Sequence, residues 1–480
     1  MDEAQTYRLA SMPSLSLVAK DLTASFASEA LMPLGVTVAW FSARVTSHTE
    51  WGLRAMNILW GVLAVWAFAE VGRRWKIPWA PLFFAVQPFL WFYMNEARPY
   101  AFQIASASWL VASFVIVFEE KRLRQSVFLI LLMASCALVA TTLFGILMVG
   151  TVWGALFWLI WQGRWPRPAW WGLSISAALF WMGGLGVYYL MTLSRGAGGV
   201  KLWDVGLQNI VFTVYEIAGF SGLGPARNEI RELAHQHGSL GVLRVFWESY
   251  PGLICLGAVY VAILGCVFLR WKSLKNNPLA LWIGGIFGVS FGSLVLLAVV
   301  EGFPIWGRHF APNFPFFCAL MLLGIGEVRL LVRPFLYKGL LSGLFLFLAW
   351  SAFGLRFESR HEKDDYRRAS SLAKQALSEG KSVWWSADPE AARYYGLGSI
   401  KNLSLSGRLT FTRDISPPEI LDRSVPPGII FVSKPDAFDP SGKVLDFVRV
   451  HQYRRVQKLS GFEVFQIPNV QEAGSAVPQK

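Results

Sequence analysis

The sequence predicts a mostly α, polytopic helical membrane protein of about ten spans, followed by a small C-terminal α/β domain on the extracytoplasmic side. Three observations predict this. Hydrophobic residues make up 54% of the 480-residue chain and charged residues 16%, whereas a soluble domain carries about 25% charge. Apolar runs of about 20 residues, enough for a helix to cross a bilayer, recur as far as residue 355. Beyond residue 360 the composition turns polar, and helical and extended patterns alternate. The same composition excludes a disordered chain, a collagen-like chain and a disulfide scaffold.

The apolar runs predict spans near 53–71, 79–94, 99–118, 126–141, 144–161, 169–192, 250–269, 279–300, 309–328 and 335–355. The stretch from Gln125 to Gln162 is too long for one helix, and it divides at Thr141-Thr142-Leu143-Phe144-Gly145. Ionisable side chains stay away from span centres: Arg54, Glu70, Glu327 and Lys338 all sit toward ends. Lipid offers the backbone no hydrogen-bond partners, so each span is expected to be a helix.

Charge sets the orientation. Alternate connections hold Arg73, Arg74 and Lys76; Lys121, Arg122 and Arg124; Arg164 and Arg167; Arg270, Lys272 and Lys275; Arg329 and Arg333. Basic connections face the cytoplasm. The intervening short connections contain only Arg98 and Arg308 as basic residues. The outward parts are then the segment 1–52, the connection at Glu96, the long loop 193–249, the connection at Glu301 and everything beyond residue 356. The net charge of +13 is a topological surplus, and no nucleic-acid partner is expected. An outward N-terminus without a leading apolar run predicts one further span upstream of Met1. Residues 1–355 therefore form the membrane domain.

The second domain is expected over residues 360–468, with a disordered tail at 469–480. Asp364 to Glu379 reads as an amphipathic helix with Tyr366, Ala369, Leu372, Ala373 and Leu377 on one face. Ser382 to Trp385 and Gly428 to Ser433 read as strands, Pro389 to Tyr395 and Val444 to Val450 as helices, and Phe462 to Ile467 as extended. The expected role of this domain is to cap or position the outer face of the membrane part.

Charged groups next to lipid need a reason. Asp2 and Glu3 are adjacent carboxylates, suited to act as general base or metal ligand. Glu96 and Arg98 share the tight connection Asn95-Glu96-Ala97-Arg98-Pro99-Tyr100, and Arg308-His309 follows Gly307. Two arginines suit a phosphate held by bidentate contacts. If these places meet in one outward cleft, a base and a phosphate clamp beside lipid suit group transfer from a lipid phosphate. Each also has a structural reading. Asp2-Glu3 reads as a solvated end, Glu96 with Arg98 as a helix-end ion pair, and Arg308 as a snorkelling interfacial anchor. Glu216 is a weaker candidate, and His235 with His237 reads as a surface pair.

The order of these features resembles the GT-C-type membrane glycosyltransferases, in particular the bacterial relatives of dolichyl-phosphate-mannose protein mannosyltransferases. The resemblance rests on Asp2-Glu3, then Pro33-Leu34, then Arg54 opening a span, then Pro88, then Glu96-Ala97-Arg98-Pro99-Tyr100, and finally Arg308-His309-Phe310-Ala311-Pro312. It runs in order from residue 2 to residue 355. The chain departs from the pattern at Leu31-Met32-Pro33-Leu34, where the family often has His-Pro-Pro-Leu. It departs again at Thr141-Thr142-Leu143 in place of Thr-His-Tyr, and at His309 in place of Tyr.

The resemblance implies a donor sugar on a polyprenyl phosphate and a glycan, lipid or protein acceptor, at a bacterial cytoplasmic (inner) membrane. Asp2 would be the base, and Glu3 would orient the acceptor or contribute to a divalent metal site. Arg98 and Arg308 would hold the donor phosphate. Glu96, Tyr100 and His309 would support the acceptor or a divalent metal ion. Displacement would invert the anomeric centre, and residues 5–45 would form short helices at the interface. The alternatives are a lipid-linked saccharide polymerase or ligase, a transporter or flippase, and a non-catalytic scaffold.

Overall fold

The computed structural model describes residues 2–24, 28–162, 171–196, 207–226, 229, 244–246, 248–270, 277–303, 305–397, 408–412, 426–439 and 441–467. The side chains of Asp2 and Glu3, the pair His235 and His237, and the tail 469–480 lie outside the described residues. The chain divides into two compact units, Leu9–Glu358, and Ser359–Lys480 together with Met1–Arg8. The first two turns of helix α1 (Asp2–Ala10) thus group with the C-terminal domain rather than with the helices that follow.

The helical unit begins with two short helices, α2 (Leu15–Ala24) and α3 (Pro33–Val45), with a 3-10 turn at Ser28–Leu31 between them. Then come α4 (Glu50–Trp75), α5 (Ala80–Ala85), α6 (Pro88–Met94), α7 (Tyr100–Glu120), α8 (Gln125–Thr141), α9 (Gly145–Trp161), α10 (Trp171–Ser194) and α11 (Leu207–Ile217). Four longer helices complete it: α12 (Pro251–Leu269), α13 (Pro278–Glu301), α14 (Phe314–Leu331) and α15 (Pro334–Phe357). Among the described residues seven helices are long and apolar enough to cross a membrane, namely α4, α7, residues 175–194 of α10, and α12 to α15. The helices α8 and α9 are apolar but shorter, and they part at Thr142, whose backbone is extended.

One predicted span is interrupted. The run 79–94 forms α5 and α6 with a break at Val86-Gln87. Pro88 opens α6, and proline pushes the preceding residue out of the helical region. Gln87 accordingly has φ −66° and ψ 124°. Apolar run length alone does not see such a break.

Burial separates centre from rim. In α7, 83% of the span is buried by neighbouring helices, against 22% in α12. Outer helices instead present large apolar groups such as Phe268, Phe335 and Trp161, which suits a lipid-facing surface.

The connections sort to two ends. At one end Arg74 pairs with Glu120 at 2.7 Å, Arg124 with Glu120 at 2.8 Å, and Arg270 with Glu327 at 3.0 Å. A cleft of about 490 Å³ there is lined by Arg74, Lys121, Asn277 and Glu327 among others. The basic connections after α4, α7, α12 and α14 thus share an end. Arg164, Arg167, Lys272 and Lys275 lie outside the described residues. At the other end Asn57 on α4 donates to the carbonyls of Met94 at 3.0 Å and Glu96 at 2.6 Å. Gln103 near the start of α7 donates to the last carbonyl of α8, Thr141, at 3.0 Å. Phe144 stacks on Phe303 just beyond α13 at 5.5 Å. This second end carries the connections with Glu96, Arg98 and Arg308.

The C-terminal unit is a five-stranded sheet, β1 (Val383–Ser386), β2 (Leu409–Phe411), β3 (Ile429–Val432), β4 (Arg454–Leu459) and β5 (Phe462–Gln466), in the order β2-β1-β3-β5-β4. The first three strands are parallel and the β4–β5 hairpin is antiparallel. Successive strand residues point to opposite faces, so Trp385 packs beneath α16 (Tyr366–Ser378) and Trp384 against α19 (Lys443–Val450). Two shorter helices, α17 (Pro389–Tyr394) and α18 (Pro435–Phe438), follow β1 and β3. Burial, with Asp364 and Asp388 nearby, pushes the Tyr366 phenol well above its usual range.

Candidate functional site

The site is built at the second end of the helical unit. Pro99 stops α6 from running into α7 and leaves a tight connection, which Asn57 clamps through two backbone carbonyls. Inside it Arg98 is buried. Its Nη2 donates to Glu29 Oε1 at 2.8 Å and to Ser28 Oγ at 2.9 Å, and its Nη1 donates to the Tyr100 hydroxyl at 3.1 Å. The guanidinium carbon lies 5.7 Å from the Tyr100 ring centroid. Ser28 Oγ in turn donates to Glu29 Oε2 at 3.3 Å. The two charged side chains are only 3% and 4% exposed.

The 3-10 turn that carries Glu29 is fixed from two sides. The Tyr188 hydroxyl donates to the Ala30 carbonyl at 2.8 Å. Gly35, in the first turn of α3, lies so close to Pro99 that a Cβ would meet the proline ring at 2.5 Å. The short helices therefore lie directly on the Arg98 connection.

The second part is the 3-10 turn Gly307–Phe310. Glu216, buried in the last turn of α11, accepts the Gly307 amide at 2.9 Å. A Cβ at Gly307 would sit 2.2 Å from that carboxylate oxygen, so only glycine fits without displacing it. His309 Nδ1 accepts the Trp306 amide at 3.2 Å, and its ring lies 5.4 Å from Phe144. Arg308 is half-buried in the same turn.

An aromatic chain joins the two parts. Tyr100 meets Tyr93 at 5.0 Å, Tyr93 meets Phe89 at 4.6 Å, and Phe89 meets Phe314 at 4.7 Å. Tyr100, Tyr93, Phe89, Phe310 and Phe314 belong to one apolar core. Of the sequence-predicted site residues, Glu96, Arg98, Tyr100, Arg308 and His309 thus gather at one end of one unit. Asp2 and Glu3 lie in the first turn of α1, in the other unit.

Sequence reading passed over Glu29 and Ser28. The available signal was an acid directly before the apolar run Ala30-Leu31-Met32-Pro33-Leu34 in an interfacial segment, which calls for a partner. Glu216 also gains weight, as the group that holds the Arg308 turn. Among the described residues no three His, Cys, Asp or Glu side chains converge on a point that would hold a metal ion.

No protein-family profile and no curated protein matches the chain. Among solved structures it is similar to ArnT from Cupriavidus metallidurans in the apo state, at 12% identity and a TM-score of 0.44, covering 93% of this chain and 89% of that one. The same protein bound to undecaprenyl phosphate aligns at 11% identity, a TM-score of 0.44 and the same coverage. The apo oligosaccharyltransferase of Archaeoglobus fulgidus aligns at 12% identity and a TM-score of 0.38, over 79% of this chain and 56% of that one.

Proposed function

We propose that the chain transfers a sugar from a polyprenyl-phosphate donor to an acceptor hydroxyl on the extracytoplasmic face of a bacterial inner membrane, with inversion and with Asp2 as general base. The observation that carries this reading is that the aromatic chain Tyr100–Tyr93–Phe89–Phe314 joins the Arg98 and Arg308 segments, at the end of the helical unit away from its basic connections. That arrangement suits a phosphate group at a membrane surface with its isoprenoid tail in lipid.

The chemistry is a single displacement. The acceptor oxygen attacks the anomeric carbon as its proton passes to the Asp2 carboxylate. The bond from that carbon to the phosphate oxygen breaks, and the electron pair leaves with the polyprenyl phosphate. Guanidinium groups stabilise the charge that builds on the leaving phosphate. Glu29, Ser28 and Tyr100 take three of the five N–H donors of Arg98, so a donor phosphate would share the guanidinium with Glu29. Glu3, Glu96, Tyr100 and His309 orient the acceptor.

The test is to incubate membranes containing the full chain with labelled polyprenyl-phosphate sugars and follow the label into lipid, glycan and protein fractions. Transfer by the unsubstituted chain, lost in a folded Asp2→Asn variant, is expected. No transfer from any donor contradicts the proposal. The length of the glycan product separates a single transfer from a polymerase or ligase.

A second reading, a transporter or flippase, is favoured by the break between α5 and α6. Gln87 is fully buried there, and neither of its side-chain amide atoms has a hydrogen-bond partner among the described residues. Interrupted helices of this kind line transport sites. Movement of an intact labelled donor between vesicle leaflets, without bond cleavage, would favour this reading.

A further inference from the structure

We propose that the C-terminal domain is a positioning element for the transferase: it holds α1, the helix on which residues 2 and 3 lie, by taking Ala4 into its own core and packing Tyr394 on Tyr7. The inference rests on the reading of Asp2 as the base, and it assigns the domain a part in that reaction. Tyr7 and Tyr394 meet edge to face with ring centroids 4.2 Å apart. Ala4 is 7% exposed and belongs to the core formed by α16, α17 and the sheet. The neighbouring Thr6 is buried as well.

Both surfaces are suited to close approach. The domain contributes Ala369, Ala373 and Ala391 to this core, and α1 contributes Ala4. Small side chains let a helix backbone settle closely against another element, and dense packing then resists displacement. Ala4 and Tyr7 are the contacts that hold α1 against this domain. A displacement of about 1 Å at a reacting group can reduce the rate roughly 100-fold.

The experiment uses the full chain in lipid nanodiscs and two readouts. Amide exchange of residues 4–8, measured without donor, reports docking of α1. Steady-state transfer reports kcat and donor KM. Tyr394→Ala is expected to raise exchange in residues 4–8 and lower kcat roughly tenfold or more, with donor KM unchanged and the exchange of β1 and β3 unaltered. Tyr394→Phe, which keeps the ring, is expected to retain both protection and rate. Should Tyr394→Ala unfold the sheet, Ala4→Arg, which alters α1 alone, is read in the same way. Exposure of α1 with an unchanged kcat would overturn the proposal, and so would unchanged protection in both Tyr394→Ala and Ala4→Arg. Absence of transfer in the unsubstituted chain counts against the transferase reading, and the exchange data then still decide whether the domain docks α1.

Discussion

The two ends of the helical unit use the same chemistry, arginine on carboxylate, in opposite surroundings. At the basic end the Arg124 side chain is 55% exposed beside Glu120, and Arg270 is 34% exposed beside Glu327. At the other end the Arg98–Glu29 pair is almost fully enclosed. Exposed pairs gain little, because water competes for both partners. A buried pair adds little net stability when intact, yet losing one partner leaves an uncompensated charge. The pairs at the basic end thus add little, while the enclosed pair ties the segment before α3 to the α6–α7 connection. It also places an anion, Glu29, on the arginine assigned to the donor phosphate.

The largest expected effect comes from breaking the enclosed pair. Glu29→Ala should cost about 3–5 kcal/mol, read as a lower unfolding midpoint of the purified protein, and it should abolish transfer. Replacing both partners by methionine sharpens the contrast. The double variant should recover most of the stability but not the activity. Full activity in that double variant would mean that Arg98 is purely structural.

Gly307→Ala comes next. Its Cβ would displace Glu216 from the Gly307 amide and leave buried polar groups unpaired, at a cost of about 1–3 kcal/mol. Because the Arg308 turn shifts with it, the transfer rate should fall more than stability alone explains. Asn57→Ala removes the clamp on Met94 and Glu96 and should cost about 1–3 kcal/mol, with a rise in donor KM measurable in initial rates. The smallest effect is expected at the basic end. Arg124→Ala should change stability by roughly 0–1 kcal/mol and leave transfer intact. A large loss of transfer there would erase the distinction between the ends.

Much of this architecture was legible because the physics of each part is local. Span positions follow from apolar run length, and helix ends fall within a few residues of the expected ones at Pro251, Pro278 and Pro334. The buried strand Val383–Ser386 was legible from its aromatic run. The strand Arg454–Leu459 was not, because it is an edge strand with mostly exposed polar side chains and only Leu459 buried. The site was half legible. Arginines near lipid stand out, but the partner of Arg98 lies 69 residues away in sequence, and nothing local pairs them. For the same reason the packing of residues 1–8 with the far end of the chain was out of reach.

The most direct test of the central claim is the rate of sugar transfer from a polyprenyl-phosphate donor by the full chain and by its Asp2→Asn variant, at equal amounts of folded protein in membranes. The account predicts transfer by the first and a loss of roughly 10²–10⁴-fold in the second, as expected for removal of a general base. Equal rates would remove Asp2 from the chemistry, and no transfer by either chain would contradict the assignment as a glycosyltransferase.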